Sequence, residues 1–221
     1  VAAFSLSIAL QNLLWGISQP FVGALADRYG SGRVIAVAGV AQVAGLLILA
    51  NADTIFALHL STGVIIGIAG SGTTWAVLMS VVARNVPEHR RTFFFGLTGA
   101  LGTGGQIVIA PLTQLNINVF GWVDALVILS ILLALIVPMS YILKGKTGSQ
   151  GPQNKQAETL LQTLDRARRH SGYLYLTAGF FVCGFHVTFI MVHLPAYVVD
   201  LGLSGSVAAW CLALIGVFNI I

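Results

Sequence analysis

Seven runs of roughly twenty apolar residues, each closed by a polar break, dominate this chain. A helix of that length crosses the roughly 30 Å hydrocarbon layer of a bilayer. Within that layer only helices and closed barrels satisfy their own backbone hydrogen bonds. The runs cover residues 2–22, 34–50, 55–83, 93–115, 121–143, 173–194 and 204–221. The third is long enough to tilt or to project past the bilayer surface. Only 8% of the 221 residues are charged, too few to coat a water-facing globule. Disorder needs low hydrophobicity, whereas 57% of this chain is hydrophobic. The fold class is therefore all-α and integral to a membrane, a polytopic bundle with seven transmembrane helices present.

Cys183 and Cys211 lie in apolar runs without a CxxC or His-rich pattern, so neither a disulfide framework nor a metal site is expected. No basic leader precedes the first run, and no signal peptide is read. Val1 and Ile221 both fall at apolar stretches, and the expectation is a window from a longer protein.

The charges set an orientation. All eleven Lys and Arg residues follow runs one, three and five, and the other connections carry none. Positively charged loops stay on the cytoplasmic side, which predicts that segments 23–33, 84–92 and 144–171 are cytoplasmic. Asp53, Asp124 and Asp200 then mark the outer side. The long connection 144–171 opens Gly/Gln/Ser-rich. It closes over 157–170, where Leu160, Leu161 and Leu164 oppose Arg166, Arg168 and Arg169. That pattern predicts a short amphipathic helix on the membrane surface. The basic residues imply lipid headgroups and topology rather than nucleic acid.

Other function classes lack their chemistry. A retinal receptor needs a buried Lys, and no run contains one. A channel would carry charged rings or a carbonyl filter. A membrane enzyme needs clustered His, Asp and Glu or a nucleophile–base pair, so no catalytic residue and no cofactor is expected. The glycine-rich runs at 67–72 and 99–105 lie inside apolar runs and have no P-loop Lys. Intramembrane ionisable groups are functional candidates because their burial is costly. Here they are His186, deep in run six, with His59, His193 and Asp124 nearer the outer surface. His186 is either a neutral imidazole bonded between helices or a group that handles substrate or protons.

Gly23, Asp27, Arg28, Gly30 and Arg33 share one connection, with Ser31 and Gly32 between the last two. Read generically, a small residue permits close helix approach, an acid and a base sit at a helix end, and glycines allow a tight reversal. The spacing resembles the loop signature of the major facilitator superfamily, Gly-x-x-x-Asp-Arg-x-Gly followed by basic residues. It departs from that signature at Ser31 and Gly32, leaving Arg33 as the later cation. The resemblance implies that Asp27 is the acid of a gating latch, with Arg28, Arg33 or Arg84 as its partner.

Arg90 and Arg91, followed by Gly96, Gly99, Gly102, Gly105 and Pro111, look like the helix-four-to-five segment of the monocarboxylate and oxalate/formate carrier branch. Gly63, Gly67 and Ser71 form another small-residue face. Run six, including Gly184, His186, His193 and Pro195, resembles the seventh helix of bacterial members of that branch. A short echo between 8–14 and 215–221 fits a carrier of two parallel halves. The resemblance makes the runs helices two to eight of about twelve. Residues 1–143 then form the N-terminal bundle without its first helix, 144–171 an inter-bundle loop, and 172–221 the start of the C-terminal bundle. Runs three and six would line the cavity. No Arg precedes Ala83 in run three and no Gly precedes Ala110-Pro111, so drug-antiporter motifs are missing.

These features imply a secondary active transporter of a small organic anion, monocarboxylate-like, working by alternating access in the plasma (bacterial inner) membrane. Its partners would be that anion, a coupled proton or counter-anion, and the lipid bilayer. Trp75, Gln106, His186, Asn12 and Asn219 are the cavity candidates. Gly23, Asp27, Arg28, Gly30, Arg33 and Arg84 are the gating candidates. The alternatives are a facilitator of another solute (sugar, drug or metabolite) and a non-transport membrane receptor.

Overall fold

The computed structural model describes residues 2–142 and 160–218. Among these, the chain is helical from end to end. We number the helices α1 (Ala2–Tyr29), α2 (Ser31–Ala50), α3 (Ile55–Asn85), α4 (Arg91–Phe120), α5 (Trp122–Ile142), α6 (Leu160–Arg169), α7 (Ser171–Asp200) and α8 (Gly205–Phe218). Five of them, α2, α3, α4 (with the short turn preceding it), α5 and α7, are long and apolar enough to cross a membrane. α8 is apolar but shorter within the described residues. α1 has the length, with 28 residues, but Gln11, Asn12 and Gln19 dilute its hydropathy.

The turns between helices are tight where a glycine supplies a backbone conformation that L side chains avoid. Gly30, Gly121 and Gly202 have φ of 92°, 85° and 78° at the α1–α2, α4–α5 and α7–α8 junctions. The first junction is shorter than the sequence suggests. α1 continues through Gly23, Asp27 and Arg28, leaving Gly30 alone as the connection, so segment 23–33 is helix–turn–helix rather than loop. Nothing between Val22 and Tyr29 breaks a helix, and the helix keeps its internal hydrogen bonds as it leaves the hydrocarbon. The Gly30 amide closes the helix on the Ala26 carbonyl at 3.0 Å. Part of the helix expected over 157–170 is present as α6 at Leu160–Arg169, with 143–159 outside the described residues.

α3 is not the uniform span that its apolar run suggests. It begins at Thr54, whose hydroxyl accepts from the Ala57 amide at 3.1 Å. It then passes through a π-helical stretch at His59–Ile66, an α-turn at Gly67–Gly70 and a 3₁₀ turn at Ser71–Thr73. At Thr74 the backbone becomes extended (φ −72°, ψ 160°) before Trp75–Asn85 resumes the helix. Side chains take up part of the freed hydrogen bonding. Thr74 Oγ1 donates to the Ser71 carbonyl at 3.0 Å, and Gln42 Nε2 of α2 donates to Thr73 Oγ1 at 2.8 Å. Such a break inside a membrane needs neighbours to satisfy it.

Helices α1, α2 and α3 form the tightest part of the fold, and small residues explain why. A Cβ added at Gly67 would lie 2.9 Å from the Gln11 carbonyl oxygen, a backbone-to-backbone approach of α3 on α1. At Gly72 it would lie 2.5 Å from Ala38 Cβ of α2, and at Gly63 2.7 Å from Leu10 Cδ2. Without a hydrophobic drive between helices in lipid, such van der Waals fit is what holds them. Near the basic end, Ala26, Ile35 and Val77 of these helices bury one another, with Leu78 and Ile136 packed against them. α5 covers α2, and α8 lies on α4, where Gly216 comes close to the Thr103 carbonyl.

Fully buried Ser7, Ser61, Ser71 and Ser140 return their hydroxyls to carbonyls three or four residues earlier, which keeps polar atoms satisfied inside apolar helices. Many large apolar side chains point outward instead, among them Val37, Leu101, Ile131 and Tyr175. Hydrocarbon is the solvent that suits such a surface.

Candidate functional site

α1 and α7 face each other across a cleft of about 620 Å³. α1 contributes Ser5, Asn12 and Trp15, and α7 contributes a wall of Phe181, Phe185, Thr188, Phe189 and His193. The spacing Phe185, Phe189, His193 puts all three rings on one helical stripe. Phe185 and Phe189 are stacked with centroids 6.3 Å apart, and Phe189 meets the His193 imidazole at 4.7 Å. His193 is the single ionisable side chain among the residues lining this cleft. Opposite it, Asn12 donates its Nδ2 to the Ile8 carbonyl at 2.9 Å. That bond leaves the amide oxygen available as an acceptor. The cleft can thus offer a ligand aromatic faces, one amide, hydroxyls and one imidazole.

The five cavity candidates are distributed unevenly around it. Asn12 lines the cleft. Gln106 of α4 lies at the α4–α7 contact, where its Nε2 meets Met191 Sδ at 3.7 Å while its Oε1 is buried without a partner. Trp75 is not in the cleft. Its indole rests on Gly99 of α4, 2.7 Å from where a Cβ would stand, and fixes the crossing of α3 with α4. The break at Thr74 sets that direction. His186 is exposed on α7 and does not line the cleft, whereas His193, two turns further, does. Asn219 lies outside the described residues. The walls accordingly come from the first and sixth runs, and α3 contributes none of them. Sequence pattern marks His193 as an ionisable group near one surface. The available signal for its place in the cleft is the aromatic stripe that ends on it.

A second arrangement lies at the basic end. Asp27, in the last turn of α1, accepts a hydrogen bond from the Arg84 guanidinium at the end of α3. Of the three cations considered as its partner, Arg84 makes the pair. Arg28 instead lies over its neighbour Tyr29, 5.5 Å from the ring centroid. Arg33 projects from the first turn of α2. Gly23 meets nothing within 4 Å of a Cβ, so the close approach that its smallness would permit is made instead at Gly63, Gly67 and Gly72. The Ser31 and Ser80 hydroxyls, 3.4 Å apart, add a further α2–α3 contact at this end.

The helical order, the Asp27–Arg84 bridge between two successive basic turns, and the glycine crossings can be compared with known proteins. The family profile of the Major Facilitator Superfamily matches residues 1–221. The chain belongs to this superfamily. It is 27% identical to mouse (Mus musculus) monocarboxylate transporter 11 over 219 residues, 96% of this chain and 46% of that protein. It is 26% identical to an uncharacterized MFS-type transporter of Bacillus subtilis (strain 168), covering 93% of this chain and 52% of the relative. The class E tetracycline resistance protein of Escherichia coli is 32% identical over 104 residues, 47% of this chain and 25% of that protein. The chain spans about half the length of the full-length relatives it matches. Superfamily membership and the apolar helices make it a multi-pass integral membrane protein.

Proposed function

We propose that this superfamily member forms part of a secondary transporter that moves a small organic anion, of monocarboxylate type, by alternating access. The observation that carries the reading is the α1–α7 cleft, open between helices and lined by rings, Asn12, Thr188 and a single imidazole. A monocarboxylate has one charged head and a short apolar body. The His193 imidazole and the Asn12 amide would receive the head, and Phe185 and Phe189 the body. The similarity to monocarboxylate transporters of mouse and of cattle (Bos taurus, 25% identical over 222 residues) supports the same substrate class. In this reading, residues 1–143 and 172–221 belong to the two halves that rock about the cleft, and 144–171 joins them. The basic turns face the cytoplasm and the membrane is the plasma membrane. Asp27 and Arg84 hold one gating state, with Gly23, Arg28, Gly30 and Arg33 shaping the turn around them. A proton moves with the substrate, or a counter-anion moves in exchange for it.

A second reading, transport of an uncharged or drug-like solute, is favoured by the likeness of part of the chain to the tetracycline resistance protein. Uptake of labelled lactate, pyruvate, formate and oxalate by the full-length protein in proteoliposomes separates the two. Saturable uptake of one of these acids, inhibited by the others, is expected. Transport of a neutral solute with none of the four acids moved would replace the first reading by the second.

A further inference from the structure

On the outside of the α1–α2–α3 cluster runs a second groove, of about 550 Å³, whose lining is apolar along its length. Val37, Ala41, Ile65, Ile68 and Val22 form its walls. Val37 is 72% exposed and Ile68 44%, so the walls look outward rather than into the bundle. At the basic end the character changes. Tyr29 and Arg33 close the groove, and Arg33 is the one charged residue lining it. From Arg33 to Ala41 the groove follows about 12 Å of α2.

The charges at that end are not balanced. Asp27 is already engaged by Arg84. Neither Arg28 nor Arg33 has an acidic partner among the described residues. Arg28 is held over the ring of Tyr29, so a second cation lies beside the phenol that closes the groove with Arg33. An outward apolar channel that ends in an unpaired guanidinium group is complementary to a molecule with a hydrocarbon tail and an anionic head. In a membrane protein, the abundant molecule of that form is a phospholipid. The head would meet Arg33 by charge-assisted hydrogen bonds to phosphate, and one acyl chain would lie along Val37, Ala41 and Ile68.

We propose that this groove is a binding site for one anionic phospholipid, seated with its phosphate on Arg33 and an acyl chain between α1, α2 and α3. The site adjoins the Asp27–Arg84 pair. A bound headgroup would hold Arg33 away from Asp27 and leave that acid to Arg84. The proposal rests on the reading that the basic end lies at the cytoplasmic leaflet, and it is independent of which solute is transported.

The test is native mass spectrometry of the purified full-length protein titrated with phosphatidylglycerol or with phosphatidylcholine of the same acyl chains. Phosphatidylglycerol is expected to bind at least about fivefold more tightly, the effect of one cation near an anionic headgroup. Arg33→Gln should abolish that preference, and Arg33→Lys should retain it. Ala41→Trp, which fills the groove and leaves Arg33 in place, should lower occupancy by both lipids. Circular dichroism and gel filtration verify that each variant is folded. Excess glycerol phosphate should leave the bound lipid in place. Equal binding of the two lipids, a preference that survives Arg33→Gln, or displacement by glycerol phosphate would each overturn the site. Because lipid occupancy is read without any transport measurement, failure here and failure of the substrate assignment are distinguishable.

Discussion

The α1–α2–α3 cluster and α7 are built from similar residues and pack in opposite ways. In the cluster, glycines sit where a neighbouring helix presses on them, as Gly67 does against the Gln11 backbone and Gly72 against Ala38. In α7, Gly179 and Gly184 meet nothing within 4 Å, and residues 171–187 are exposed. The same residue type therefore serves two ends. Beneath a crossing helix it removes volume so that two backbones can touch. On the cleft face of α7, Gly184 leaves room between Phe180, Phe181 and Phe185. A transporter needs both kinds of region, a body that moves as a unit and a face that can open to a ligand.

The contrast can be broken most severely at Gly67. Gly67→Leu drives a side chain into the Gln11 backbone, which has no flexible end to yield, and should cost at least the upper part of the ~1–3 kcal/mol seen for overpacking. Loss of the monodisperse full-length protein, or a large fall in its thermal midpoint, checks it. Gly184→Leu should leave the midpoint nearly unchanged and lower transport by filling the cleft. If the two substitutions destabilise equally, the distinction between the regions fails.

A smaller effect is expected at His193. His193→Phe preserves the aromatic stripe but removes the single ionisable group lining the cleft, and should lower uptake of a carboxylate roughly tenfold. His186→Phe should leave uptake close to wild type. The reverse ranking in a proteoliposome assay would put the site two turns along α7, at the depth of His186.

Within the cluster, Ser7 is fully buried and lies 2.7 Å from His59 Nδ1, a bond that ties α1 to the π-helical part of α3. Ser7→Ala leaves the imidazole nitrogen without its partner and should destabilise the protein by about 1 kcal/mol, read from a denaturation curve. The smallest effect on stability is expected for Asp27→Asn. The carboxylate is 70% exposed, and surface pairs contribute about 0–1 kcal/mol. Its consequence should appear in transport rate instead. Exchanging the charges, Asp27→Arg with Arg84→Asp, should recover part of the rate that either single change loses. No recovery would mean that the pair does not act as a latch.

Much of this architecture is legible in the residues. The apolar runs correspond to α1 through α5, α7 and α8, and the Leu/Arg pattern at 160–169 to α6. Motif spacing brought Asp27 together with Arg28 and Arg33, and it led to the superfamily to which the chain belongs, whose resemblance added Arg84. The helix ends were harder to read. Polarity marks where a helix leaves hydrocarbon, and α1 leaves it without ending, so that only Gly30 remains as the turn. The break at Thr74 was also hidden. Val, Ile and Gly around it suit a helix, and the exception is supported by Gln42 on a different helix.

The sequence by itself determined that this chain lives in a membrane, where its apolar runs lie and which of its connections are basic. Those properties follow from hydropathy and charge summed along the backbone, because lipid admits only helices and closed barrels, and runs of this length suit helices. Only the tertiary structure decided which cation pairs with Asp27, which histidine lines the cleft, and which glycines lie under a neighbouring helix. Each of these depends on how one helix is rotated, or set along its axis, against another. Along one helix, His186 and His193 are equivalent apolar-run histidines, and only the placement of α1 across the cleft distinguishes them.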